Sequence, residues 1–291
     1  MYPLVRLLFA LSSLLSFRNL RRIGMAFGTL YYYASPSRRK VAEKNAEVIG
    51  AKDPKAVAKS SFRHSFATFA ESMYSHRIKP GMADEIEVEY VGGASINTAK
   101  SYFLIGAHIG CWELSAIFFT ILFDTKCGVI GRKMKDSRIN DFLVRQREND
   151  RLIHIGHRYV AEMVPELLGK GINVGSLLDH SAVQKDSIFV PFFGLNTTFI
   201  KGIPMLSVRR NTDIQPVFLI RTEKSYKMVI YPRISPDMNL KPKERIYDVA
   251  RRVNGVYEDI ISKYPDQWYL LHKRFKKIMD ENGNVTDTFY R

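Results

Sequence analysis

The sequence places a histidine and a glutamate between two apolar stretches, where neither residue type is expected without a partner. His108 follows the run SYFLIGA, and Glu113 precedes the run LSAIFFTILF. Buried histidine and glutamate side chains are uncommon unless they are paired. A carboxylate beside an imidazole orients the ring and stabilises its protonated form. The spacing therefore predicts a His–Glu pair able to act as a general base, with a packed core histidine as the alternative.

The chemistry of such a pair depends on whether the chain also supplies a nucleophile. The sequence has no G-x-S-x-G motif, and neither Cys111 nor Cys127 has an activating sequence context. It also has no H-E-x-x-H, no phosphate-binding G-x-x-x-x-G-K-[ST] and no zinc spacing of cysteines, so we expect neither a metal site nor a cofactor. A histidine base without a protein nucleophile suits direct transfer, in which the histidine deprotonates a substrate hydroxyl that attacks an activated acyl group.

A second pair has the same spacing, His157 with Glu162 in the segment HRYVAE. It lies across a predicted helix start rather than between a strand and a helix. We therefore interpret it as a solvated or capping pair.

Alternating strands and helices from about residue 100 predict an α/β fold. The predicted strands are SYFLIGA, TKCGVIG, INVGSLL, DIQPVFLI and SYKMVIYP. The predicted helices are WELSAIFFTILF, DSRINDFLVRQREN, YVAEMVPELLG and KERIYDVARRVNGVYEDIISKY, with two more in residues 36–78. His108 then lies at the carboxyl end of a strand, where catalytic groups of α/β sheets gather. Gly110 allows a tight turn, and Glu113 falls in the first turn of the next helix.

The N-terminus and the net charge both point to an anionic surface. Residues 1–17 are mostly apolar and are followed by RNLRR, and the whole chain carries a formal charge of +15. The apolar run is short of the roughly 20 residues that a membrane span needs. We expect residues 1–22 to form an interfacial or short membrane anchor, with residues 23–291 as one domain. The alternative is a first helix buried against that domain.

Four separated segments resemble successive blocks of the lipid A biosynthesis (late) acyltransferases, which belong to the lysophospholipid acyltransferase superfamily. They are GAHIGCWEL, LLDHSAVQKDSIFVPFFG, TDIQPVFLIR and YPDQWYLLHKRFK, in the same order and spacing. The resemblance implies a glycerolipid acyltransferase-like core, a central mostly parallel sheet flanked by helices. It adds a helical N-terminal region and a short hydrophobic N-terminal anchor.

The resemblance also implies an activity and site residues. It implies transfer of a fatty acyl chain from acyl carrier protein or acyl-CoA to a hydroxyl of an anionic membrane glycolipid. The reaction would take place at the cytoplasmic face of the bacterial inner membrane, and no nucleic acid is expected among the partners. His108 matches the general base and Glu113 the supporting acid. Arg132 matches a basic residue expected at the acceptor phosphate or the developing oxyanion, with a surface arginine as the alternative. Asp179 matches the aspartate of an Asp-Gln pair and is expected among the substrate contacts, but here His180 follows it.

The PFFG segment adds candidate substrate contacts. Pro191 and Gly194 bracket Phe192 and Phe193, which suits a turn lining an apolar pocket, with core packing as the equal alternative. The flanking Lys185 could meet a phosphate, although a solvated charge is the ordinary interpretation of a single lysine. The stretch after PFFG, TTFIKG, departs from the family pattern and leaves the acceptor open.

Several other functions are compatible with the same residues. The dyad would equally serve a phosphatidylinositol mannoside, an ornithine lipid or a lysophospholipid as acceptor. The charge alone also permits a non-enzymatic basic protein that binds membranes or nucleic acid, but the basic residues are scattered and form no nucleic-acid motif. The sequence leaves the oligomeric state open.

Overall fold

The computed structural model describes residues 2–131, 133–156 and 158–290, and it joins an N-terminal helical region to an α/β core. The helices are α1 (Tyr2–Ser13), α2 (Phe17–Ala34), α3 (Pro36–Val48), α4 (Pro54–Ser72), α5 (Trp112–Leu122), α6 (Ser137–Arg147), α7 (Val160–Gly169), α8 (Gly202–Arg210) and α9 (Pro242–Lys263). The strands are β1 (Glu87–Tyr90), β2 (Phe103–Gly106), β3 (Cys127–Gly131), β4 (Leu152–Gly156), β5 (Asn173–Leu177), β6 (Ser187–Phe192), β7 (Leu195–Ile200), β8 (Ile214–Arg221), β9 (Tyr226–Ile230), β10 (Ile278–Met279) and β11 (Val285–Thr286).

The main sheet has seven strands in the order β1-β9-β8-β2-β5-β3-β4. Every neighbouring pair is parallel except β8 with β9, which is antiparallel. This confirms the predicted α/β fold with a mostly parallel sheet flanked by helices. Such a sheet must be covered on both faces, because its strands are apolar on both sides.

The central strand β2 shows how the two faces are covered. Phe103 and Ile105 belong to one apolar cluster, which includes residues of α9, whereas Leu104 belongs to a second cluster, which includes residues of α5. Side chains alternate between the faces of a strand, so each face of β2 packs against a different helix. The loop after β2 therefore emerges between two packed layers and has little freedom to move.

A smaller antiparallel sheet, in the order β11-β10-β7-β6, covers one side of the core. Strands β6 and β7 pair from Ser187 with Ile200 to Phe192 with Leu195, and a two-residue turn at Phe193 and Gly194 joins them. Both turn residues have positive φ, 47° and 75°. Two positive φ values are typical of the type I′ turns that match strand twist, which is why a glycine is needed here.

The structure adds strands that the sequence did not predict. The PFFG segment was expected as a turn, and it contains the end of β6 and the turn of the β6–β7 hairpin. Strand β4, which was not predicted, ends at Gly156, and α7 begins at Val160, close to the predicted helix start. His157 lies outside the described residues, so the interpretation of its pair with Glu162 stays a prediction. The boundary expected at residue 22 falls inside α2, which runs without a break to Ala34 and packs against α4.

Glycines allow α2 and α4 to approach each other closely. Gly24 and Gly28 are buried on one face of α2. A Cβ added at Gly28 would lie 2.4 Å from the Phe62 carbonyl oxygen of α4, and one at Gly24 would lie 2.5 Å from that of Phe66. The backbones thus touch at these two positions, four residues apart.

This packing predicts the effect of one methyl group. Gly28→Ala should lower the free energy of unfolding by about 1–3 kcal/mol, because the added Cβ meets backbone that has to move. Gly255→Ala is the matched control, since a Cβ there meets nothing within 4 Å, and it should raise the free energy of unfolding by about 0.5–1 kcal/mol. Urea titration of the two variants measures both effects. Equal stability of Gly28→Ala and the parent would contradict the α2–α4 packing.

Candidate active site

Two parallel neighbouring strands bring His108 and Asp179 together. Strand β2 pairs with β5 in a register that sets Gly106 beside Leu177. His108 and Asp179 each follow two residues later, so both emerge at the same carboxyl edge of the sheet. This is the edge at which ligand sites of α/β sheets form.

The Asp179 carboxylate contacts both the ring and the backbone of His108. His108 Nδ1 lies 2.8 Å from Asp179 Oδ1, and the backbone N–H of His108 donates to Asp179 Oδ2 at 2.9 Å. The carboxylate is completely buried, whereas the histidine side chain keeps 28% of its surface exposed. The ring is therefore held at Nδ1 by a buried acceptor while part of its surface stays exposed.

The segment that follows α9 completes the support of this pair. Trp268, which is fully buried, donates its indole N–H to Asp179 Oδ2 at 2.9 Å. The backbone N–H of Tyr269 donates to the His108 carbonyl at 2.7 Å. The rings of Trp112 and Tyr269 lie 5.6 Å and 6.1 Å from the imidazole. Two aromatic rings thus lie beside the imidazole.

These surroundings shift the pKa of both partners in opposite directions. Burial alone would raise the pKa of Asp179, but the charge and hydrogen bond of His108, with help from His272 and Trp268, lower that pKa well below its usual range. Burial would lower the pKa of His108, but the charge and hydrogen bond of Asp179, together with the charge of Glu113, raise it. Asp179 is therefore ionised, and the imidazolium form of His108 is stabilised.

A nearby second histidine has the opposite character. His272 lies 6.5 Å from His108, ring to ring, and its ring stacks on Tyr269. Burial lowers the pKa of His272 to about 4. It is a neutral neighbour of the pair near neutral pH.

Glu113 does not orient the ring, which corrects the predicted His–Glu contact. Its carboxylate lies 2.7 Å from Arg147 Nη2 of α6, and both side chains are partly exposed. Its influence on His108 is limited to the electrostatic increase in pKa. The residue that orients the imidazole is Asp179, which the sequence had placed among the substrate contacts.

The other predicted site residues differ in burial and in their contacts. Phe192 is fully buried and packs against Trp268, so it supports the indole that holds Asp179. Phe193 and Gly194 form the hairpin turn, where the backbone N–H of Phe193 donates to Glu258 at 2.5 Å. Lys185 is exposed in a short 3-10 turn before β6. Arg132 lies outside the described residues.

One group of side chains near the base has metal-ligand character. Potential ligand atoms of His108, Asp179 and His180 all lie within 4.8 Å of one another. His180 is exposed, and its ring lies 6.0 Å from that of His108. A cation bound there would compete with the hydrogen bond between His108 and Asp179.

The role of Asp179 was present in the sequence as a weak signal. Both SYFLIGA and INVGSLL are predicted strands, and each is followed closely by a polar residue that suits a carboxyl-edge site. Only their adjacency and register in the sheet make the two residues partners. Trp268 gave no comparable signal, because a tryptophan near the end of a chain is ordinarily a packing residue.

A comparison with protein families identifies the family of this chain. The model of the bacterial lipid A biosynthesis acyltransferases matches residues 3–277. This chain belongs to that family. It is therefore an acyltransferase, and its family implies an acyl donor and a lipid acceptor in general terms. The search of curated protein sequences found no match to this acyltransferase.

One solved structure is similar to this chain at low sequence identity. The crystal structure of the 1-acyl-sn-glycerophosphate (LPA) acyltransferase PlsC from Thermotoga maritima aligns with 82% of this chain and 98% of its own, at 14% identity and a TM-score of 0.36.

Within the described ranges of the present chain, every helix is too short or too polar to cross a membrane.

The opposed pKa shifts predict how the pH dependence of kcat/KM responds to mutation. His108 must be neutral to accept a proton, so the rate should rise with pH through its raised pKa. Asp179→Asn removes the nearest negative charge, so the ascending limb should move to lower pH while the maximal rate falls. Glu113→Gln should move the limb in the same direction by less, because it removes a charge but no contact with the ring. An ascending limb that stays in place or moves to higher pH in Asp179→Asn would contradict the assignment.

Proposed function

We propose that this protein is a membrane-associated O-acyltransferase that uses His108 as a general base. It would move a fatty acyl chain from acyl carrier protein or acyl-CoA to a hydroxyl of a lipid A precursor or a related bacterial glycolipid. The observation that carries the mechanism is the partly exposed imidazole whose Nδ1 contacts the buried carboxylate of Asp179 at 2.8 Å. Asp179 leaves Nε2 as the nitrogen to accept the hydroxyl proton.

The proposed reaction is a direct transfer from a thioester. His108 Nε2 takes the proton of the acceptor hydroxyl while the oxygen attacks the thioester carbonyl carbon. The new C–O bond forms, the C–S bond breaks, and the leaving thiolate receives the proton from the imidazolium. Asp179 stabilises that imidazolium and holds its tautomer throughout. Glu113 adds a second, weaker negative charge.

The state of the cysteines supports direct transfer over a thioester of the enzyme itself. Cys111 is completely buried and donates to Glu71, and its surroundings raise the pKa of its thiol well above the usual value. Burial raises the pKa of Cys127 to about 12. Both of the chain's cysteines are thus protonated and shielded, and a nucleophilic cysteine has to be an exposed thiolate.

Exposed apolar side chains on the first two helices support attachment to a membrane surface. On α1 they are Leu4, Leu7, Leu8 and Leu11, and on α2 they are Ile23, Phe27 and Leu30. Helix α1 has 12 residues, about 18 Å at 1.5 Å per residue, against a hydrocarbon core of about 30 Å. We therefore propose that the helices lie in the interface on the cytoplasmic face of the inner membrane. The net charge of +15 favours anionic lipids and the acidic carrier protein alike.

The function is tested by removing the base. His108→Ala should reduce acyl transfer by about 10²–10⁴-fold, the usual contribution of general-base catalysis. His76→Ala is the matched control, because His76 is exposed on a 3-10 turn after α4, and its activity should stay normal. Mass spectrometry of membrane lipids, from cells with and without the gene, identifies which lipid gains the acyl chain. Near-normal turnover by folded His108→Ala protein would exclude the mechanism.

The membrane proposal predicts a surface that can be disabled without unfolding. The double variant Phe27→Ser/Leu30→Ser should reduce cosedimentation with phosphatidylglycerol–phosphatidylcholine vesicles, because both side chains are exposed. About 0.5 M salt should weaken binding of the parent protein, since the Debye length is then only about 4 Å. The melting temperature of the variant checks its fold. Unchanged vesicle binding by both criteria would show that these helices do not meet the membrane.

A further inference from the structure

The loop that carries His108 is held by a second buried charged group, which lies outside the catalytic pair. The carbonyl of Gly110, two residues after His108, accepts hydrogen bonds from Arg221 Nη1 at 2.9 Å and from Thr68 Oγ1 at 2.8 Å. The amide N–H of Gly110 donates to the Gln267 carbonyl, and that of Cys111 donates to the Leu219 carbonyl. The peptide groups before and after Gly110 are therefore both fixed by hydrogen bonds.

Only a glycine fits at position 110 of this turn. Its φ is +60°, and a Cβ there would lie 2.1 Å from the Leu219 carbonyl oxygen. The turn is thus pressed against β8, and Arg221 at the end of β8 reaches its carbonyl. A small shift of Arg221 would move the turn, and the turn is directly continuous with His108.

Arg221 is itself fixed by Glu71, a completely buried carboxylate of α4. Arg221 donates to Glu71 through Nε at 3.1 Å and also through Nη2. Arg21 of α2 and the Tyr226 hydroxyl each donate to the other oxygen of Glu71 at 2.7 Å. Burial would raise the pKa of Glu71, but Arg221, Arg21 and Tyr226 lower it to about 2. Glu71 is therefore a charged and saturated hydrogen-bond acceptor.

Stability alone gives a weak reason for such a group, because replacing a buried ion pair with apolar side chains is often neutral or stabilising. What the planar guanidinium supplies is direction, since its donors leave in a rigid fork. One arm meets Glu71 while another meets the Gly110 carbonyl. The helical N-terminal region is thereby connected to the catalytic loop through a single side chain.

We propose that Arg221, held by Glu71, and Thr68 are positioning residues for acyl transfer, because together they fix the Gly110 carbonyl and so the placement of His108 against Asp179. The inference rests on the proposed function for its kinetic consequence but not for its structural one. A misplacement of a catalytic group by about 1 Å can cost about 100-fold in rate. The geometry of His108 is therefore the quantity to measure.

The experiment compares variants that touch the Gly110 carbonyl with one that does not. Arg221→Lys loses the forked donor. Thr68→Val, with little change in volume, loses the hydrogen bond to the carbonyl and also the hydroxyl that accepts from Arg221 Nη2. Tyr226→Phe is the matched control, because it removes a hydrogen bond to the same Glu71 carboxylate and leaves the two donors to the Gly110 carbonyl in place. Its hydroxyl also meets the Cys111 thiol, a side chain of the loop, but not that carbonyl. For each variant we would measure the melting temperature, kcat and KM. The pKa of His108 would come from NMR titration, with its signal assigned by its loss in His108→Ala.

Arg221→Lys should lower kcat by about 10-fold or more, and Thr68→Val should lower it by less, with KM changed little. Both should lower the pKa of His108 measured without substrate, because its contact with Asp179 weakens. Tyr226→Phe should lose stability yet keep kcat and that pKa. In the His108→Ala background, Arg221→Lys should cost no further activity.

Two outcomes would overturn the inference. One is a normal kcat and an unchanged His108 pKa in Thr68→Val and in folded Arg221→Lys. The other is a decrease of kcat in Tyr226→Phe as large as that in Arg221→Lys. The buried group around Glu71 would then act on stability alone and not on the position of His108. The NMR titration separates this failure from failure of the proposed function, since it needs no substrate, whereas that function fails if His108→Ala remains active.

Discussion

The buried carboxylate of Asp179 imposes the strictest constraint on this structure. An unpaired charge in the interior costs several kcal/mol, so a completely buried carboxylate must be surrounded by donors. Three donors meet that requirement: the backbone N–H and Nδ1 of His108 and the indole N–H of Trp268. His108 and Trp268, which supply these donors, are both far from Asp179 in the sequence. The parallel pairing of β2 with β5 and the docking of the segment after α9 are both needed to place them.

The chain buries a second carboxylate, Glu71, and the comparison separates two uses of the same chemistry. Asp179 contacts a ring that is partly exposed, so the stabilisation it provides falls on a group that can meet substrate. Glu71 is sealed among Arg221, Arg21 and Tyr226, and no reacting group touches it. Asp179 raises the pKa of His108, the proposed base, and Glu71 is connected through Arg221 to the backbone that carries His108. Both are ionised because their donors outweigh the cost of burial.

The N-terminal helices have two faces with different partners. Gly24, Gly28 and Arg21 face α4, where the backbones touch and Glu71 receives the guanidinium. Ile23, Phe27 and Leu30 are exposed on the same helix. A helix that packs by its small residues and leaves large apolar ones outside is suited to contact an apolar surface on its outer side. Helix α2 is therefore an integral part of the folded domain as well as a candidate membrane contact.

The sequence by itself determined the local features of this protein. The strand that ends before His108, the glycine that permits the turn, the absence of a nucleophilic motif and the family resemblance can all be read from short stretches. Local patterns also predicted most helices and the central strands. They missed helix α8 and the strands β1, β4, β6, β7, β10 and β11, because elements this short show little periodicity.

Only the tertiary structure decided which acid serves the histidine. Glu113 is five residues from His108, yet it meets Arg147 of α6, whereas Asp179 is 71 residues away and contacts the ring. Sequence spacing fixes neighbours within a helix or a strand, but contacts between elements depend on strand order and register. The same reason applies to Arg221 and Glu71, which are 150 residues apart. Their meeting requires β8, α4 and the His108 loop to pack together, and that follows from burial of the whole core rather than from any one segment.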